Sequence, residues 1–240
     1  MYLAERFDLN SGRTPRITYI VASSHRSGST HLCALLWRTG KLGAPWEYLE
    51  YQAQMPMMMS RLKATSLPDY LSKLLACRTS NNGVFGLKAH FHHFDHALKV
   101  YPGLLDFFPD VKFILINRKD KLAQAVSMAK ALQNNAWVYF GTTEREVPLF
   151  YSFEFIKRCL QEVVAQAESW LRWFETNRFE PLVVDYESLL RDPRGTLQCI
   201  GDYVGVDVEN GSGVDVPVAI RQGDSVNEQW IQRFMAEAGM

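Results

Sequence analysis

The sequence lacks several features that would place it in common protein classes. Its four cysteines are widely spaced and form no Cys-x-x-Cys pair, which argues against a zinc ribbon or a disulfide framework and favours a reducing compartment. Lys plus Arg and Asp plus Glu both number 26, and no basic stripe with interleaved aromatic residues occurs. We therefore expect no nucleic-acid partner.

Long apolar segments are also missing. No window approaches the roughly 20 apolar residues of a membrane span, and residues 1–16 are polar, without an apolar signal core. We therefore expect a cytoplasmic protein with no transmembrane segment. With 240 residues and 47% hydrophobic content, residues 1–240 are predicted to form a single domain. Glycine and acidic residues predict a mobile loop at about 205–220.

Apolar runs alternate with helical patterns along the chain. Buried strands are predicted at residues 17–23, 84–89, 111–117 and 181–185. A long amphipathic helix is predicted over residues 156–174, because its apolar residues fall on one stripe. The alternation predicts an α/β fold with a central, mainly parallel sheet flanked by helices.

The first predicted strand enters a loop of small hydroxyl residues around a glycine. This loop reads Ser24-His25-Arg26-Ser27-Gly28-Ser29-Thr30, and a helix-like apolar run follows it. Backbone N–H groups at such a turn and at a helix N-terminus converge on one point, where a phosphate-type dianion can bind. Additional donors are Arg26, Ser27, Ser29 and Thr30.

This loop differs from a Walker A nucleotide loop. That motif requires Lys directly after its last glycine, where this chain has Ser29. An ATP-dependent kinase relies on that Lys and on a magnesium ion. A kinase with an atypical loop therefore remains only an alternative, as does a non-catalytic nucleotide-binding protein.

A second anion site is predicted at the end of the third strand. Arg118 follows that strand, where ligands bind in open α/β sheets, and Ser127 lies about two turns along the helix that Asp120 can cap. An arginine and a serine so placed can clamp an anion. Two such sites suit a ligand with negative groups at both ends.

Together these motifs resemble the two cofactor motifs of the PAPS-dependent sulfotransferase superfamily, which uses 3′-phosphoadenosine 5′-phosphosulfate (PAPS). A third match is Val183-Val-Asp-Tyr-Glu-Ser-Leu-Leu-Arg-Asp-Pro193. Within the superfamily the chain is most similar to the bacterial trehalose 2-sulfotransferase type, through Gly43-Ala-Pro-Trp-Glu-Tyr-Leu-Glu-Tyr51 and Arg221-Gln-x-Asp-Ser-x-x-x-x-Trp-x-x-Arg233.

The resemblance implies a three-layer, P-loop-like fold, PAPS as sulfuryl donor and no metal. It implies that the first loop binds the 5′-phosphosulfate and that Arg118 and Ser127 bind the 3′-phosphate. Tyr186 then lies near the adenosine, and Arg221 and Arg233 fold over the cofactor as part of a lid. It further implies a homodimer and a small carbohydrate or glycolipid acceptor.

Sulfuryl transfer resembles phosphoryl transfer and requires a base and donors for developing charge. The resemblance implies Glu47 as base, and apolar rings nearby would raise the pKa of its carboxyl. His90 is the rival, because Lys88-Ala-His90 reproduces the spacing of the catalytic His in eukaryotic members. Arg26 is the group expected to stabilise the transferring sulfuryl.

Aromatic residues around Glu47 are expected to hold a sugar ring. The predicted acceptor-binding residues are His25, Trp46, Glu47, Tyr48, Tyr51 and Lys88. Lys88 could instead end a strand with its charge in water. His92 and His96 share a predicted helix face and could bind zinc, but a polar helix start explains them as well.

Overall fold

The computed structural model describes residues 2–9, 11–138, 147–209, 214–218 and 223–239. Within these ranges the chain forms a four-stranded sheet in the order β2-β1-β3-β4. The strands are β1 (Ile17–Ser23), β2 (Val84–His90), β3 (Val111–Asn117) and β4 (Leu182–Asp185). All three strand pairs are parallel. The four predicted strands are confirmed to within one residue at each end.

Helices fill the connections between these strands, as parallel pairing requires. Between β1 and β2 lie α1 (Ser29–Arg38), α2 (Gln54–Arg61) and α3 (Leu67–Arg78), and between β2 and β3 lies α4 (Phe91–Val100). Between β3 and β4 lie α5 (Lys121–Asn134) and α6 (Phe153–Asn177). After β4 follow α7 (Tyr186–Arg191), α8 (Pro193–Val204) and α9 (Ser225–Ala238). Helix α6 contains the predicted amphipathic segment, and its apolar stripe is buried.

Alternating residues of the strands enter two hydrophobic clusters, one on each face of the sheet. On β1, Ile20 belongs to one cluster and Val21 to the other. The first cluster includes Trp170 of α6, and the second includes Leu36 of α1 and Ile200 of α8. Successive side chains of a strand point to opposite faces, so helices cover both faces. The predicted three-layer α/β arrangement is confirmed.

The parallel register brings the functional segments to one edge of the sheet. Ser23, the last residue of β1, pairs with His90, the last residue of β2. Asn117 of β3 pairs with Asp185 of β4 in the same way. The loop after β1, the end of β2, and the residues that follow β3 and β4 therefore meet at this edge.

No helix in the described ranges is long and apolar enough to cross a membrane. The four cysteines are all free, and three of them are buried.

A buried arginine ties the N-terminal segment to the core. The Arg78 side chain has no solvent exposure and forms an ion pair with Asp8 at 3.0 Å. It also donates to the carbonyl oxygens of Tyr2 and Phe7, each at 3.1 Å. The guanidinium lies 5.7 Å from the centre of the Tyr48 ring, so this network also supports the loop that precedes α2.

Replacing Arg78 with Met should destabilise the protein by about 3 kcal/mol, because the carbonyl oxygens of Tyr2 and Phe7 lose a donor and Asp8 loses one of its two guanidinium partners, Arg78 and Arg61. Urea unfolding would measure this change. The matched control is Arg172→Met, which removes an exposed ion pair with Glu168 and should cost less than about 0.5 kcal/mol. Equal losses in the two variants would show that the Arg78 network does not stabilise the fold.

Candidate active site

The loop after β1 has the backbone shape of an anion site. Arg26 and Gly28 both adopt left-handed backbone conformations, with φ of 60° and 90°. Helix α1 starts directly afterwards. Its N-cap residue is Gly28, so no side chain accepts a hydrogen bond from the first N–H groups of the helix at this position. Successive backbone N–H groups in such turns form a concave nest for anions. A Cβ atom on Gly28 would collide with the Tyr186 ring, so only glycine allows this close approach.

Side chains from two helices hold this loop in place. The Gln124 amide of α5 donates to Ser24 Oγ at 2.9 Å and to the His25 carbonyl at 2.6 Å. The Trp170 indole of α6 donates to the Ser23 carbonyl at 3.0 Å. These contacts fix the loop conformation. Two of the loop's own N–H groups contribute as well, because His25 N–H donates to Gln166 Oε1 and Ser27 N–H donates to the Ser24 carbonyl, each at 3.3 Å.

Four predicted cofactor-binding residues form one continuous cationic rim. Arg26 Nε donates to Ser127 Oγ at 2.9 Å, and Arg118 Nη1 donates to the Arg26 carbonyl at 3.3 Å. The Arg118 guanidinium lies 5.1 Å from the centre of the Tyr186 ring. Burial and the neighbouring Arg118 lower the pKa of Arg26 to about 10, so the guanidinium remains charged at neutral pH. The two predicted anion sites are therefore adjacent.

The carboxylate of Glu47 lies at the centre of a hydrogen-bonded cluster. Its Oε1 atom forms an ion pair with Lys88 and lies 3.5 Å from His90 Nε2. Its Oε2 atom accepts a hydrogen bond from Gln54 Nε2 at 2.8 Å. Lys88 also donates to Thr30 Oγ1 at 3.0 Å. Lys88 thus connects the anion loop to the carboxylate, and its ammonium does not lie in water.

The expected direction of the Glu47 pKa is wrong. Burial raises the pKa of this carboxyl, but the Lys88 ammonium and the His90 imidazole outweigh burial and hold it well below its usual range. The residues next to Glu47 in the sequence suggested a surrounding of apolar rings, whereas in the fold β2 places the Lys88 ammonium against the carboxylate. The carboxylate is consequently ionised at neutral pH, and its basicity depends on how tightly Lys88 holds it.

His90 is not a free rival to Glu47. Its Nδ1 atom lies 3.0 Å from Ser23 Oγ, and its Nε2 atom faces Glu47. Both ring nitrogens are thus engaged within the described structure.

Glu50 is a second carboxylate close to Glu47 in the sequence, and it is also engaged. Its carboxylate accepts hydrogen bonds from the N–H groups of residues 52–54 at the start of α2.

Histidines form one wall of the site. The ring centres of His25 and His90 are 4.2 Å apart, and those of His92 and His93 are 3.9 Å apart. Burial and the neighbouring imidazoles lower the pKa of His25 to about 2 and that of His93 to about 3, and they lower the pKa of His92 as well. These three rings are therefore neutral at physiological pH.

The cationic rim, the Glu47 cluster and the histidine wall border one cleft of about 1120 Å³. The cleft reaches from Arg118 and Tyr186, past the anion loop, to Glu47 and Trp46. Such a volume matches the upper range of ligand pockets. One end is cationic and the other combines a carboxylate with aromatic rings, which suits the transfer of an anionic group to a neutral acceptor.

The Stf0 sulphotransferase family matches residues 18–237, which include every element of the cleft. The chain belongs to this family. It is accordingly a sulfotransferase, which disfavours the kinase and the non-catalytic alternative.

Two similar proteins are named trehalose 2-sulfotransferase. The one from Mycolicibacterium smegmatis is 28% identical, over 92% of this chain and 95% of the relative. The one from Mycobacterium tuberculosis is 25% identical with the same coverage. A solved sulfotransferase from Alicyclobacillus acidocaldarius is 14% identical over 94% of this chain and 92% of its own, with a TM-score of 0.47.

Several residues predicted for the site of this sulfotransferase lie elsewhere. Tyr48 is fully buried, and its hydroxyl donates to the Ala44 carbonyl; the Arg78 network draws it into the core, so its predicted contact with acceptor is corrected. Tyr51 packs against His96 with ring centres 4.1 Å apart, outside the cleft lining. Arg233 lies over Tyr151 and bonds Glu237, so it does not line the cleft either.

Two other predictions concern segments that the structure covers incompletely. Arg221 lies outside the described residues. The predicted loop at 205–220 is described only at 205–209 and 214–218. In the second of these pieces Val216 is buried, and its carbonyl accepts a hydrogen bond from Arg38 Nε at 2.8 Å.

The sequence analysis missed residues that now lie in or beside the cleft. Gln54 contacts Glu47 and Gln124 holds the anion loop. Trp137 accepts a hydrogen bond from Arg26 through its carbonyl oxygen. Asp224 and Glu228 of the α9 start border the cleft, and Asp224 is held there by Lys130. Asp224 belongs to the Arg221-Gln-x-Asp-Ser motif, which assigned it no role. Gln54 carries no sequence signal, so only its position in the structure reveals it.

No group of three His, Cys, Asp or Glu side chains in the described ranges is arranged to hold a metal ion. His92 and His93 of α4 instead contribute to the wall beside Glu47, whereas His96 packs against Tyr51.

Replacing Lys88 with Met should destabilise the protein by about 3 kcal/mol at pH 8, since Glu47 would be a buried carboxylate without its ammonium. A carboxyl whose pKa is lower in the folded than in the unfolded protein stabilises the fold at pH values above its unfolded pKa, here 4.5. This stabilisation is lost as the pH falls through the folded pKa. In the variant, burial raises the pKa instead. The variant's carboxyl can therefore take up a proton toward pH 5, and its deficit should shrink there.

Urea unfolding at pH 5 and pH 8 would measure this difference. Lys99→Met is the matched control, because it removes an exposed pair with Asp95 and should cost less than about 0.5 kcal/mol at both pH values. A Lys88→Met deficit independent of pH would contradict the ion-pair assignment.

Proposed function

We propose that this sulfotransferase moves the sulfuryl group of PAPS to a hydroxyl of a small carbohydrate or glycolipid. The observation that supports this most is one cleft with a cationic rim at one end and an ionised carboxylate at the other. PAPS carries a phosphosulfate and a 3′-phosphate, which match the two anion positions. The names of the two trehalose-sulfating relatives favour a carbohydrate acceptor.

The residues of the rim suit such a donor. The nest at Arg26 and Gly28, together with the α1 N-terminus, would receive the 5′-phosphosulfate. Arg118 and Ser127 would receive the 3′-phosphate, and Tyr186 would pack against the adenosine. The Ser27 side chain is fully buried and does not border the cleft, whereas Ser29 and Thr30 do. Ser29 and Thr30 are therefore the loop hydroxyls that would contact the donor.

The bound donor supplies a sulfuryl group, whose sulfur bonds to the acceptor oxygen while its bond to the bridging phosphate oxygen breaks. Glu47 takes the proton of the acceptor hydroxyl. Arg26 and Lys88 stabilise the negative charge that develops on the oxygens around sulfur. The electron pair of the broken bond leaves with adenosine 3′,5′-bisphosphate.

Lys88 couples charge stabilisation to base strength. Its ammonium lies between Thr30 of the anion loop and Glu47. When the ammonium turns toward a sulfuryl oxygen, it weakens its hold on the carboxylate, whose pKa then rises toward working pH. The carboxylate thus becomes a better base only when a donor anion is present.

The acceptor would occupy the end of the cleft beside Trp46, Trp137 and the histidine wall. Aromatic faces pack well on sugar rings, and neutral imidazoles can donate or accept hydrogen bonds with hydroxyl groups.

Replacing Arg118 with Ala should weaken binding of adenosine 3′,5′-bisphosphate by about 10- to 100-fold, because a charge-assisted contact is lost. Binding of adenosine 5′-monophosphate, which lacks the 3′-phosphate, should change much less. Isothermal titration calorimetry measures both, and exposed Arg194→Ala is the matched control. Equal losses for the two nucleotides would contradict the 3′-phosphate role.

Replacing Glu47 with Gln should lower kcat by about 10²-fold, the scale of a positioned general base, with the Kd for adenosine 3′,5′-bisphosphate near that of the wild type. Mass spectrometry of a saccharide panel that includes trehalose measures turnover. His90→Ala should lower kcat by a smaller factor than Glu47→Gln does, because the His90 imidazole acts through the Glu47 carboxylate. A larger loss in His90→Ala would reverse the assignment of the base.

A further inference from the structure

We propose that Gln54 positions the Glu47 carboxylate and that Trp46 sets the direction of the Gln54 amide. This inference rests on the proposed role of Glu47 as general base. It also specifies which carboxylate oxygen receives the proton of the acceptor.

Three side chains form a short relay along the cleft wall. The Trp46 indole N–H donates to Gln54 Oε1, and Gln54 Nε2 donates to Glu47 Oε2 at 2.8 Å. The Trp46 ring is only 7% exposed and borders the cleft. The ring that faces the acceptor is thus two hydrogen bonds from the base.

Chemistry permits only one orientation of this amide. An indole N–H can only donate, and an ionised carboxylate can only accept. The oxygen of Gln54 must therefore face Trp46, and its nitrogen must face Glu47. In the reversed orientation, the Gln54 NH₂ group would face the Trp46 N–H donor, and the Gln54 oxygen would face the Glu47 carboxylate acceptor.

The backbone that carries Gln54 is itself fixed. Gln54 is the first residue of α2, and its N–H group donates to Glu50 Oε2 at 2.8 Å. The N–H groups of Gln52 and Ala53 donate to the same carboxylate at 2.7 and 3.0 Å. This capping satisfies the helix start and holds the amide at a set distance from the base.

The hydrogen-bond pattern distinguishes the two oxygens of the base. Each carboxylate oxygen has about two lone pairs. Lys88 pairs with Oε1 and His90 Nε2 crowds the same oxygen at 3.5 Å, whereas Gln54 is the partner of Oε2 within the described residues. One lone pair of Oε2 is left for the acceptor hydroxyl, so Oε2 is the atom that takes its proton.

Replacing Gln54 with Leu should lower kcat by about 10-fold, because a misdirected base loses alignment with the acceptor. It should also move the acid limb of the kcat/KM profile up by about one pH unit, because the carboxylate loses a donor that favours its charged form. Donor affinity should stay within about twofold. Trp46→Phe should move the acid limb in the same direction. The double variant should have the same kcat and the same acid limb as Gln54→Leu.

The matched control is Gln198→Leu. Gln198 also donates its amide to a carboxylate, at 2.9 Å from Asp202, but on the distant helix α8; its loss should leave the profile unchanged. Trp46→Phe retains an aromatic ring and serves as the readout if Gln54→Leu does not fold.

A carboxyl-carbon NMR titration of Glu47 in the donor-free protein tests the relay without activity. Besides Gln54, the groups that face Glu47 are Lys88 and His90 of β2. The other titratable groups nearby are His25, Cys33 of α1, His92 and His93. The pKa of Glu47 should rise in Gln54→Leu and Trp46→Phe. An unchanged pKa, or additive losses in the double variant, would overturn the relay. Failure of sulfuryl transfer in the wild type would instead overturn the proposed function.

Discussion

The parallel register of the sheet is the constraint on which the active site depends. Because Ser23 pairs with His90 and Asn117 with Asp185, the residues that leave the four strands emerge at one edge. The anion loop, Lys88, Arg118 and Tyr186 come from four separate segments that meet there. A shift of one residue in any strand pair would also exchange its buried and exposed faces, so core packing and site assembly fix the same register.

Charge within this site is arranged locally, since the chain as a whole carries none in excess. Two guanidinium groups occupy one end of the cleft, and a buried ion pair lies near its middle. Buried pairs contribute little net stability when they are compared with apolar side chains. The pair of Lys88 and Glu47 keeps a carboxylate ionised in a buried place, and Lys88 connects this carboxylate to Thr30 of the loop after β1.

The sequence predicted the sheet and the turn between β1 and α1 well, because both depend on local patterns. Strands follow from apolar runs, and the loop follows from glycine and hydroxyl residues between a strand and a helix. The sequence-based predictions failed where residues distant in the chain determine a pKa or the burial of a side chain. The pKa of Glu47 is lowered by Lys88, and Tyr48 is buried beside Arg78. The role of Gln54 depends on a helix start that only the folded loop creates.

The neutral histidine wall bears on how a sulfated product departs. A newly formed sulfate ester carries a permanent negative charge, and a wall of cationic imidazoles would retain it by Coulombic attraction. Because burial keeps His25, His92 and His93 uncharged at physiological pH, this side of the cleft has no fixed imidazolium charge to trap the ester. In the proposed reaction, the wall would contact the hydroxyl groups of the acceptor and would not retain the sulfated product by charge.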